Sequence, residues 1–288
     1  MSKKIKNGEL DGLYEEYHEN GRLWEKGTYK NGKLDGPFES YFDNGQLDRK
    51  CTYKNGQLDG LYESYFDNGQ LYKKCTYKNG KLDGLCEEYH ENGRLMERCT
   101  YRNGVLDGPF ESYFDNGQLD RKCTYKNGQL DGLYESYYYD GQLYEKCTFK
   151  GYKLDGPSES YYDNGRLWER CTYRNGVLEG SFEHYYDNGQ LDRKCAYKNG
   201  ELDGLYEEYD YFGKLRKKCF YKNDEEVTEE EYKCLQLAEQ PPQTISVRHA
   251  LAVALNNLRH EFGYEAKLVS SKSKTIKVLR EKVSNYRS

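Results

Sequence analysis

The chain has 288 residues and a formal net charge of −5, with 32 Tyr and 29 Gly but only 5 Pro. Hydrophobic residues make up only 36% of it, too few for the thick core of a conventional globule of this length. So many aromatic residues also argue against a disordered chain, which leaves a thin, extended and ordered structure.

A glycine recurs every 24 residues and defines nine tandem copies of one repeat. These glycines are Gly12, Gly36, Gly60, Gly84, Gly108, Gly132, Gly156, Gly180 and Gly204. Each copy contains two Asn-Gly-type turns, as at Asn44-Gly45 and Asn55-Gly56, separated by runs rich in Tyr, Phe, Thr and Leu. Asn-Gly supplies the two positive-φ residues of a type I′ hairpin turn. The pattern predicts an all-β repeat array, an elongated single-sheet antiparallel β-meander of tandem hairpins.

A strand register follows if Asn44-Gly45 is a two-residue turn, because Glu39 then lies opposite Lys50. Glu occupies the first position in all nine copies, and Lys or Arg occupies the second. An acid that always faces a base predicts a ladder of ion pairs, each contributing about 0.2–1 kcal/mol. We interpret the ladder as structural, since a catalytic carboxylate needs neither nine copies nor a neutralising partner in each.

The same register assigns the side chains to two faces of the sheet. The first face, expected to be buried or to line a groove, collects Phe38, Phe42, Leu47, Cys51, Tyr53, Leu58 and Gly60. The second face, which is amphipathic, collects Glu39, Tyr41, Asp48, Lys50, Thr52 and Asp59. This register places Phe38 opposite Cys51, and Tyr41 opposite Asp48. Across the second turn it places Cys51 opposite Gly60.

One position of the repeat varies while the rest stays nearly constant. It is occupied in chain order by Trp24, Asp48, Tyr72, Met96, Asp120, Tyr144, Trp168, Asp192 and Arg216. The register puts it beside a Tyr that every copy carries, and exposed Trp, Tyr and Met are typical of protein interfaces. The candidate binding residues are therefore Trp24, Tyr72, Met96, Tyr144, Trp168, Tyr17, Tyr65 and Tyr161. The alternative is that these aromatic residues only cover the sheet.

Eight of the ten cysteines recur with the repeat, at the position of Cys51. Equivalent positions in neighbouring copies lie two strands apart, about 9–10 Å, which is too far for a disulfide. The exception is Cys86, which the register places opposite Cys99, although an intracellular setting favours free thiols there as well.

No motif for a metal, a nucleotide or a catalytic nucleophile occurs, since the chain lacks CxxC, HExxH, P-loop and GxSxG patterns. His18 and His90 stand next to turns where other copies carry Phe or Tyr, so we interpret them as ordinary substitutions. We therefore expect no cofactor, no metal site and no catalytic residue, and we do not expect an enzyme.

The repeat pattern stops near Tyr221. We divide the chain into a lead-in strand over residues 1–11, nine repeats over 12–223 and a C-terminal helical cap or tail over 224–288. Thr228 followed by Glu231 is a capping-box pattern and predicts a short helix.

Two further helices are predicted beyond that short helix, at 246–262 and around 274–286, from their apolar stripes. The last of them is expected to dock on the final hairpin, because the end of a repeat stack needs a cap. The alternative is that this basic helix binds a partner or phosphate.

Charge is unevenly distributed, with −9 over residues 12–227 and +6 over residues 245–288. Nucleic acid is therefore not an expected partner of the repeats, whereas the basic tail is able to make weak contacts with anionic lipid. No secretory signal and no apolar stretch of membrane-spanning length occurs. We expect a cytoplasmic protein, in the host-cell cytoplasm if the source is a virus or an intracellular bacterium.

The copies GxYESYxDNGQL and xxKCTYKNGxLD closely resemble MORN-variant repeats over roughly residues 7–222. Such repeats occur in antitoxin-like bacterial proteins and in repeat-rich proteins of some intracellular bacteria and large DNA viruses. The resemblance implies protein binding, scaffolding and sometimes association with membrane lipid. Our leading hypothesis is a non-enzymatic scaffold that binds a protein partner. The alternatives are an antitoxin-like protein that neutralises a toxin, and a lipid-associated adaptor that uses the basic tail.

Overall fold

The computed structural model describes residues 5–6 and 9–239. It confirms the predicted fold class, since antiparallel strands follow one another in meander order and end in a helix, α1, at Glu229–Glu239. The strands are β1 Ile5–Lys6, β2 Glu9–Leu10, β3 Gly12–Tyr17, β4 Leu23–Lys30, β5 Lys33–Tyr41, β6 Leu47–Lys54, β7 Gln57–Tyr65, β8 Leu71–Lys78, β9 Lys81–Tyr89, β10 Leu95–Arg102, β11 Val105–Tyr113, β12 Leu119–Lys126, β13 Gln129–Tyr137, β14 Leu143–Lys150, β15 Lys153–Tyr161, β16 Leu167–Arg174, β17 Val177–Tyr185, β18 Leu191–Lys198, β19 Glu201–Leu202, β20 Gly204–Tyr209, β21 Leu215–Lys222 and β22 Glu225–Val227. The helices predicted at 246–262 and 274–286 lie outside the described residues.

The chain divides into two compact units. The first unit comprises Met1–Glu179 and His184–Gln190, and within it each strand from β3 to β16 pairs antiparallel with the next. β1 and β2 pair with each other in a separate small sheet. The second unit comprises Gly180–Glu183 and Leu191–Ser288, and within it β18, β20, β21 and β22 pair in that order.

The second turn of each copy has the predicted type I′ geometry. Asn55 and Gly56 both have positive φ, at 51° and 81°, which Asn and Gly tolerate better than other residues. The Gly56 N–H donates to the Leu34 carbonyl in the preceding copy, at 2.7 Å, and equivalent bonds recur along the first unit. The second turns are therefore stacked on one another along one edge of the sheet.

The first turn is not the predicted two-residue turn. Gly45 has a φ of 89°, but Asn44 does not have a positive φ. The Gly45 N–H donates to the Phe42 carbonyl at 2.8 Å, and the Phe42 N–H donates to the Gln46 carbonyl at 2.8 Å. These bonds close a three-residue loop with glycine in its left-handed position, the second common hairpin geometry. The loop holds one residue more than predicted.

That extra residue changes the register of the last strand residues. Glu39–Lys50 pairs as predicted, but Tyr41 faces Leu47 and not Asp48. Between the pairs Ser40–Arg49 and Tyr41–Leu47, β6 has one residue more than β5, so Asp48 is the additional residue of a β-bulge. The predicted Tyr41–Asp48 pairing is wrong for this reason.

A second bulge follows the second turn. Tyr53 faces Leu58 as predicted, but Cys51 faces Tyr62, so the predicted pairing of Cys51 with Gly60 is wrong. Gly60 has a φ of 120°, a conformation that L side chains rarely adopt, and a Cβ there would lie 3.5 Å from the Thr52 Cβ. The repeat glycine therefore permits the bulge.

The core of the sheet lies on one face, which we call the cysteine face and define by Phe38, Cys51 and Tyr53. Phe38 and Cys51 are buried, and the Phe38 and Tyr53 rings meet edge to face with centroids 5.7 Å apart. The opposite face, which carries Glu39 and Lys50, we call the ladder face. Because of the first bulge, Asp48 lies on the cysteine face and Leu47 on the ladder face, the opposite of the prediction for each.

Candidate binding surfaces

The ladder face carries the predicted ion pairs. The predicted pairs include Arg98–Glu87 at 2.9 Å, Arg170–Glu159 at 2.9 Å, Lys146–Glu135 at 3.3 Å and Lys218–Glu207 at 2.9 Å. Glu39 pairs instead with Lys26 of the preceding copy, at 2.7 Å. The hydrogen bond from Lys26, followed by that from Tyr41, lowers the pKa of Glu39. The Glu39 carboxylate is thus held ionised and paired, as a structural element requires.

The tyrosine that every copy carries belongs to the ladder face. Its hydroxyl donates to the ladder carboxylate two residues earlier, as in Tyr17–Glu15 at 2.8 Å and Tyr161–Glu159 at 2.7 Å. The Tyr65 hydroxyl donates to Glu63 at 3.2 Å. Three of the candidate binding residues therefore have a role in fixing the ladder.

The variable position lies on the cysteine face. It is the bulge residue in copies one to seven and in copy nine, and we call the nine residues at this position the bulge row. Ser40, which is buried on the cysteine face, donates to Asp48 at 2.8 Å. The Trp168 indole donates to His184 Nε2 at 2.8 Å, and His184 is two residues from the buried Phe182. Two successive residues of a bulge point to the same side, which explains the placement.

The structure therefore separates the candidate binding residues into two groups. Trp24, Tyr72, Met96, Tyr144 and Trp168 belong to the bulge row, whereas Tyr17, Tyr65 and Tyr161 lie on the ladder face. The expectation that the variable position stands beside the invariant tyrosine on one face is wrong, because it depended on the two-residue turn.

Each aromatic residue of the bulge row packs against a ring at the start of the first turn. The ring centroids are 5.0 Å apart for Phe66–Tyr72 and for Tyr138–Tyr144, 6.2 Å for His18–Trp24 and 6.1 Å for Tyr162–Trp168. Trp24, Tyr72 and Tyr144 nevertheless keep 44%, 38% and 40% of their surface exposed. Supported on one side and exposed on the other, these rings are suited to act as rigid contact points.

The turn rings also connect one copy to the next. His18 Nε2 lies 3.0 Å from the Tyr41 carbonyl oxygen, and the Tyr138 hydroxyl donates to the Tyr161 carbonyl at 2.8 Å. The Asn20 side-chain amide donates to the Asp43 carbonyl at 3.1 Å. His18 thus contacts the next repeat through its ring, as the tyrosine Tyr138 does at the equivalent position, which agrees with its interpretation as an ordinary substitution.

Next to the bulge row runs a row of ionisable residues that the sequence analysis did not single out. Its members are Glu25, Arg49, Lys73, Glu97, Arg121, Glu145, Glu169, Arg193 and Lys217. Arg49 and Arg121 stand over the Phe38 and Phe110 rings, with guanidinium carbons 5.1 and 4.8 Å from the centroids. Burial raises the pKa of Glu25 and of Glu145.

The two rows are correlated, and this signal is readable in the sequence. An Asp in the bulge row is followed by Arg in every case, whereas Trp24, Met96, Tyr144 and Trp168 are each followed by Glu. Seven of the nine copies therefore carry either Asp followed by Arg or an apolar side chain followed by Glu, whereas Tyr72 and Arg216 are each followed by Lys.

A disulfide joins Cys75 and Cys86, with Cα atoms 4.1 Å apart. Cys86 faces Cys75 on one side and Cys99 on the other, because β9 pairs with both β8 and β10. The expectation that these thiols are all free is wrong for Cys75 and Cys86. The Cys75 partner was missed because the assumed register put a glycine there. Cys99 stays a buried thiol, and its burial above all raises its pKa to about 12.

α1 begins as predicted and covers a buried polar cluster in the second unit. The Thr228 hydroxyl accepts the Glu231 N–H at 3.2 Å and Glu231 accepts the Thr228 N–H at 2.9 Å, which is the reciprocal pattern of a capping box. One turn further on, the Tyr232 ring packs on Phe220 with centroids 5.5 Å apart. The helix therefore covers the last strands of the second unit.

The polar cluster consists of Lys222, Asp203, Glu239 and Tyr232. Lys222 is only 2% exposed and bonds to Asp203 at 2.7 Å and Glu239 at 2.8 Å, while the Tyr232 hydroxyl donates to Asp203 at 2.9 Å. Burial acts to lower the pKa of Lys222, but its two carboxylate partners together raise it. The ammonium group is therefore charged, and it joins α1 to the strands through its bonds to Glu239 and Asp203.

Within residues 5–6 and 9–239, no group of three or more His, Cys, Asp or Glu side chains is arranged to hold a metal ion. In the same part of the chain, no helix combines the length and the apolarity that crossing a membrane requires.

The repeats match a known family. The MORN repeat variant aligns with residues 10–31, 34–55, 58–79, 82–103, 106–127, 130–150, 154–175, 178–199 and 202–223. The chain belongs to the MORN repeat variant family. The nine matched segments coincide with the nine predicted copies, so the predicted family membership is confirmed. Repeats of this family form scaffolds that are often associated with proteins or membranes, and they are generally not enzymes.

Comparison with solved structures gives distant likenesses only. A chain of the TcdB2-TccC3-Cdc42 structure is 14% identical, with a TM-score of 0.20, over 74% of this chain and 14% of that one. A porin-like protein from Bacteroides uniformis ATCC 8492 is 11% identical, with a TM-score of 0.16, over 75% of this chain and 91% of that one. These scores are too low to carry an argument. No curated protein matches the chain.

Proposed function

We propose that this MORN repeat protein is a non-enzymatic scaffold that binds a protein partner through the bulge row. The observation that carries the proposal is the combination of variation, exposure and support at Trp24, Tyr72 and Tyr144. These rings stand on neighbouring turn rings and remain about two-fifths exposed, at a position where other copies carry Asp, Met or Arg.

The chemistry of the row indicates the kind of contact. An exposed aromatic ring of a scaffold contributes apolar area to an interface at low cost in side-chain entropy. Glu25 and Glu145 follow Trp24 and Tyr144 on the same face. A Lys or Arg side chain of a partner is able to form a cation–π contact with the ring and an ion pair with the carboxylate. The copies with Asp48, Asp120 and Asp192 instead carry an acid at this position, which accepts a hydrogen bond from Ser40 and Ser112 in the first two, and contribute no apolar side chain there.

The test compares two sets of alanine substitutions at the same position of the repeat. One variant carries Trp24→Ala, Tyr72→Ala, Tyr144→Ala and Trp168→Ala; its matched control carries Asp48→Ala, Asp120→Ala and Asp192→Ala. Affinity capture from a lysate of the source organism, read by mass spectrometry, is expected to lose partners with the aromatic variant and to keep them with the control. Truncating a contact aromatic costs about 2 kcal/mol or more in binding, so the losses should exceed tenfold.

The proposal fails if the aromatic variant captures the same proteins in the same amounts as the unchanged chain. It also fails if the aspartate control loses as much as the aromatic variant, because the cause then lies in the bulge and not in the rings.

A further inference from the structure

The turns of the first unit carry opposite charges at the two edges of its sheet. In a meander, successive turns alternate between the two ends of the strands, so all first turns lie at one edge and all second turns at the other. The strands between them have eight or nine residues, which separates the edges by about 25–30 Å.

The edge formed by the second turns is basic, and we call it the basic edge. Its cations are Lys30, Lys33, Lys54, Lys78, Lys81, Arg102, Lys126, Lys150, Lys153 and Arg174, all exposed. The two turn residues that separate these positions carry no carboxylate in any copy of the unit. Half-buried aspartates lie next to this edge. Asp35 and Asp59 accept the Asn55 and Asn79 backbone N–H groups, at 3.4 and 3.2 Å, and Asp107 pairs with Arg102 at 3.2 Å, so Arg102 is partly neutralised within its own copy.

The edge formed by the first turns is acidic, and we call it the acidic edge. Its carboxylates are Glu19, Asp43, Asp67, Glu91, Asp115, Asp140, Asp163 and Asp187, all exposed. Three arginines share this edge, and each donates to the backbone carbonyl of the next first turn. The bonds are Arg22 to Asp43 at 3.1 Å, Arg94 to Asp115 at 3.0 Å and Arg166 to Asp187 at 2.9 Å. These arginines hold the stack together and leave the edge acidic.

The two edges have the same spacing. Equivalent residues recur every two strands, about 9.5 Å, and the same strands generate both edges. The charges of one edge are therefore in register with those of the other along the whole unit, without any adjustment of either. A second copy of this chain has the same spacing of charges because its sequence is the same, whereas an unrelated protein would need a row of charges at the same interval of about 9.5 Å.

We propose that the basic edge of one copy binds the acidic edge of a second copy, so that the first units associate side by side. The contact joins two different surfaces, and each bound copy still presents a free basic or acidic edge. Association of this kind is open-ended and does not stop at a dimer. It uses the charged residues of the turns and not the side chains of the bulge row, so it is tested separately from partner binding.

The strength of the contact follows from its exposure. One exposed ion pair contributes about 0–1 kcal/mol and is screened by salt, so only a row of them holds two copies together. The association should therefore be marked at low ionic strength and vanish at high ionic strength.

Sedimentation velocity of the full chain at about 0.02 M and about 0.5 M NaCl tests the proposal. The unchanged chain is expected to form species larger than a monomer at low salt only. Lys30→Glu, Lys54→Glu and Lys78→Glu reverse one cation of the basic edge in each of the first three copies; Glu19→Lys, Asp43→Lys and Asp67→Lys reverse one carboxylate of the acidic edge in the same copies. Each variant alone should associate at least about tenfold more weakly, and an equimolar mixture of the two should associate again.

A face variant tests negative charge added away from the edges, with half the change in net charge that the three Lys→Glu substitutions make. Thr52→Glu, Thr76→Glu and Thr124→Glu add negative charge at exposed positions in the middle of the ladder face and leave both edges unchanged. This variant should associate like the unchanged chain. Three results would overturn the proposal: a monomeric unchanged chain at low salt, edge variants that associate undiminished, or a face variant that loses as much as they do. None of them bears on the bulge row.

Discussion

At the scale of single residues, the first turn decides which face of the sheet the bulge row occupies. Asn44-Gly45 reads as a two-residue turn, yet Gly45 takes the left-handed position of a three-residue loop. One additional residue is enough to move Asp48 from the ladder face to the cysteine face, where it meets Ser40. The glycine period, the ladder and the second turn were predictable, because each depends on residue type alone.

The part of the site that could not be predicted depends on loop closure, which is a property of the backbone. Both hairpin geometries accept the pair Asn-Gly, so residue type does not distinguish them. The sequence did contain one signal. Copies with Asp at the position of Asp48 always have Arg at the position of Arg49, and neighbouring residues that change together are expected to share one face, as the two residues of a bulge do. The Cys75–Cys86 disulfide was missed for a second reason, the bulge that follows the second turn.

Two glutamates on opposite faces should respond to pH with opposite signs. Burial raises the pKa of Glu145, so this group favours the folded state below its unfolded pKa and loses that contribution as pH rises through its folded pKa. Glu145→Gln should therefore stabilise the chain at about pH 7, by up to about 1 kcal/mol, and give no gain at about pH 3. Urea unfolding at the two pH values measures both effects.

Glu39 is the matched control. The hydrogen bond from Lys26 lowers its pKa, so its contribution is present above the unfolded pKa and is lost as pH falls through the folded pKa. Glu39→Gln should destabilise the chain at about pH 7 and have no effect at about pH 3. If both substitutions change stability in the same direction at neutral pH, the assignment of the two faces is wrong.

At the scale of secondary-structure elements, the hairpins are stacked through their turns and α1 covers the second unit. The second turns connect through glycine N–H groups and the first turns through asparagine side chains, so both edges are hydrogen-bonded from copy to copy. In the ninth copy the residue equivalent to the exposed Lys54 is Lys222, which is buried beneath α1. A lysine that is exposed in the second copy is thus, in the ninth copy, the residue that binds α1 to the last strands.

Replacing that anchor should weaken the second unit. Lys222→Met leaves Asp203 and Glu239 without their buried cation, and loss of one partner of a buried ion pair costs about 3 kcal/mol or more. Amide hydrogen exchange of α1, β20 and β21 should accelerate. Lys54→Met, at the equivalent exposed position of the second copy, should change stability by less than about 0.5 kcal/mol. Equal effects of the two substitutions would mean that α1 does not depend on the cluster.

At the scale of the whole molecule, the central claim is that the array is built from exchangeable 24-residue units, each of which contacts its neighbours. In such an array the stability is a sum of terms within repeats and between adjacent repeats. The fold could be predicted from sequence because the repeat makes every local signal recur nine times. In the function that we propose, specificity resides where the copies differ, along the bulge row.

Excision of one complete copy tests this claim most directly. Deleting residues 108–131, which are identical to residues 36–59, brings Gly132 into the place of Gly108 and keeps every strand on its face. Deleting only residues 108–119 removes half a unit and breaks the alternation of the two turn types. Unfolding in urea, followed by circular dichroism, should show a cooperative transition of the 24-residue deletion near that of the full chain, and a much less stable half-unit deletion. A 24-residue deletion that unfolds as readily as the half-unit deletion would contradict the account.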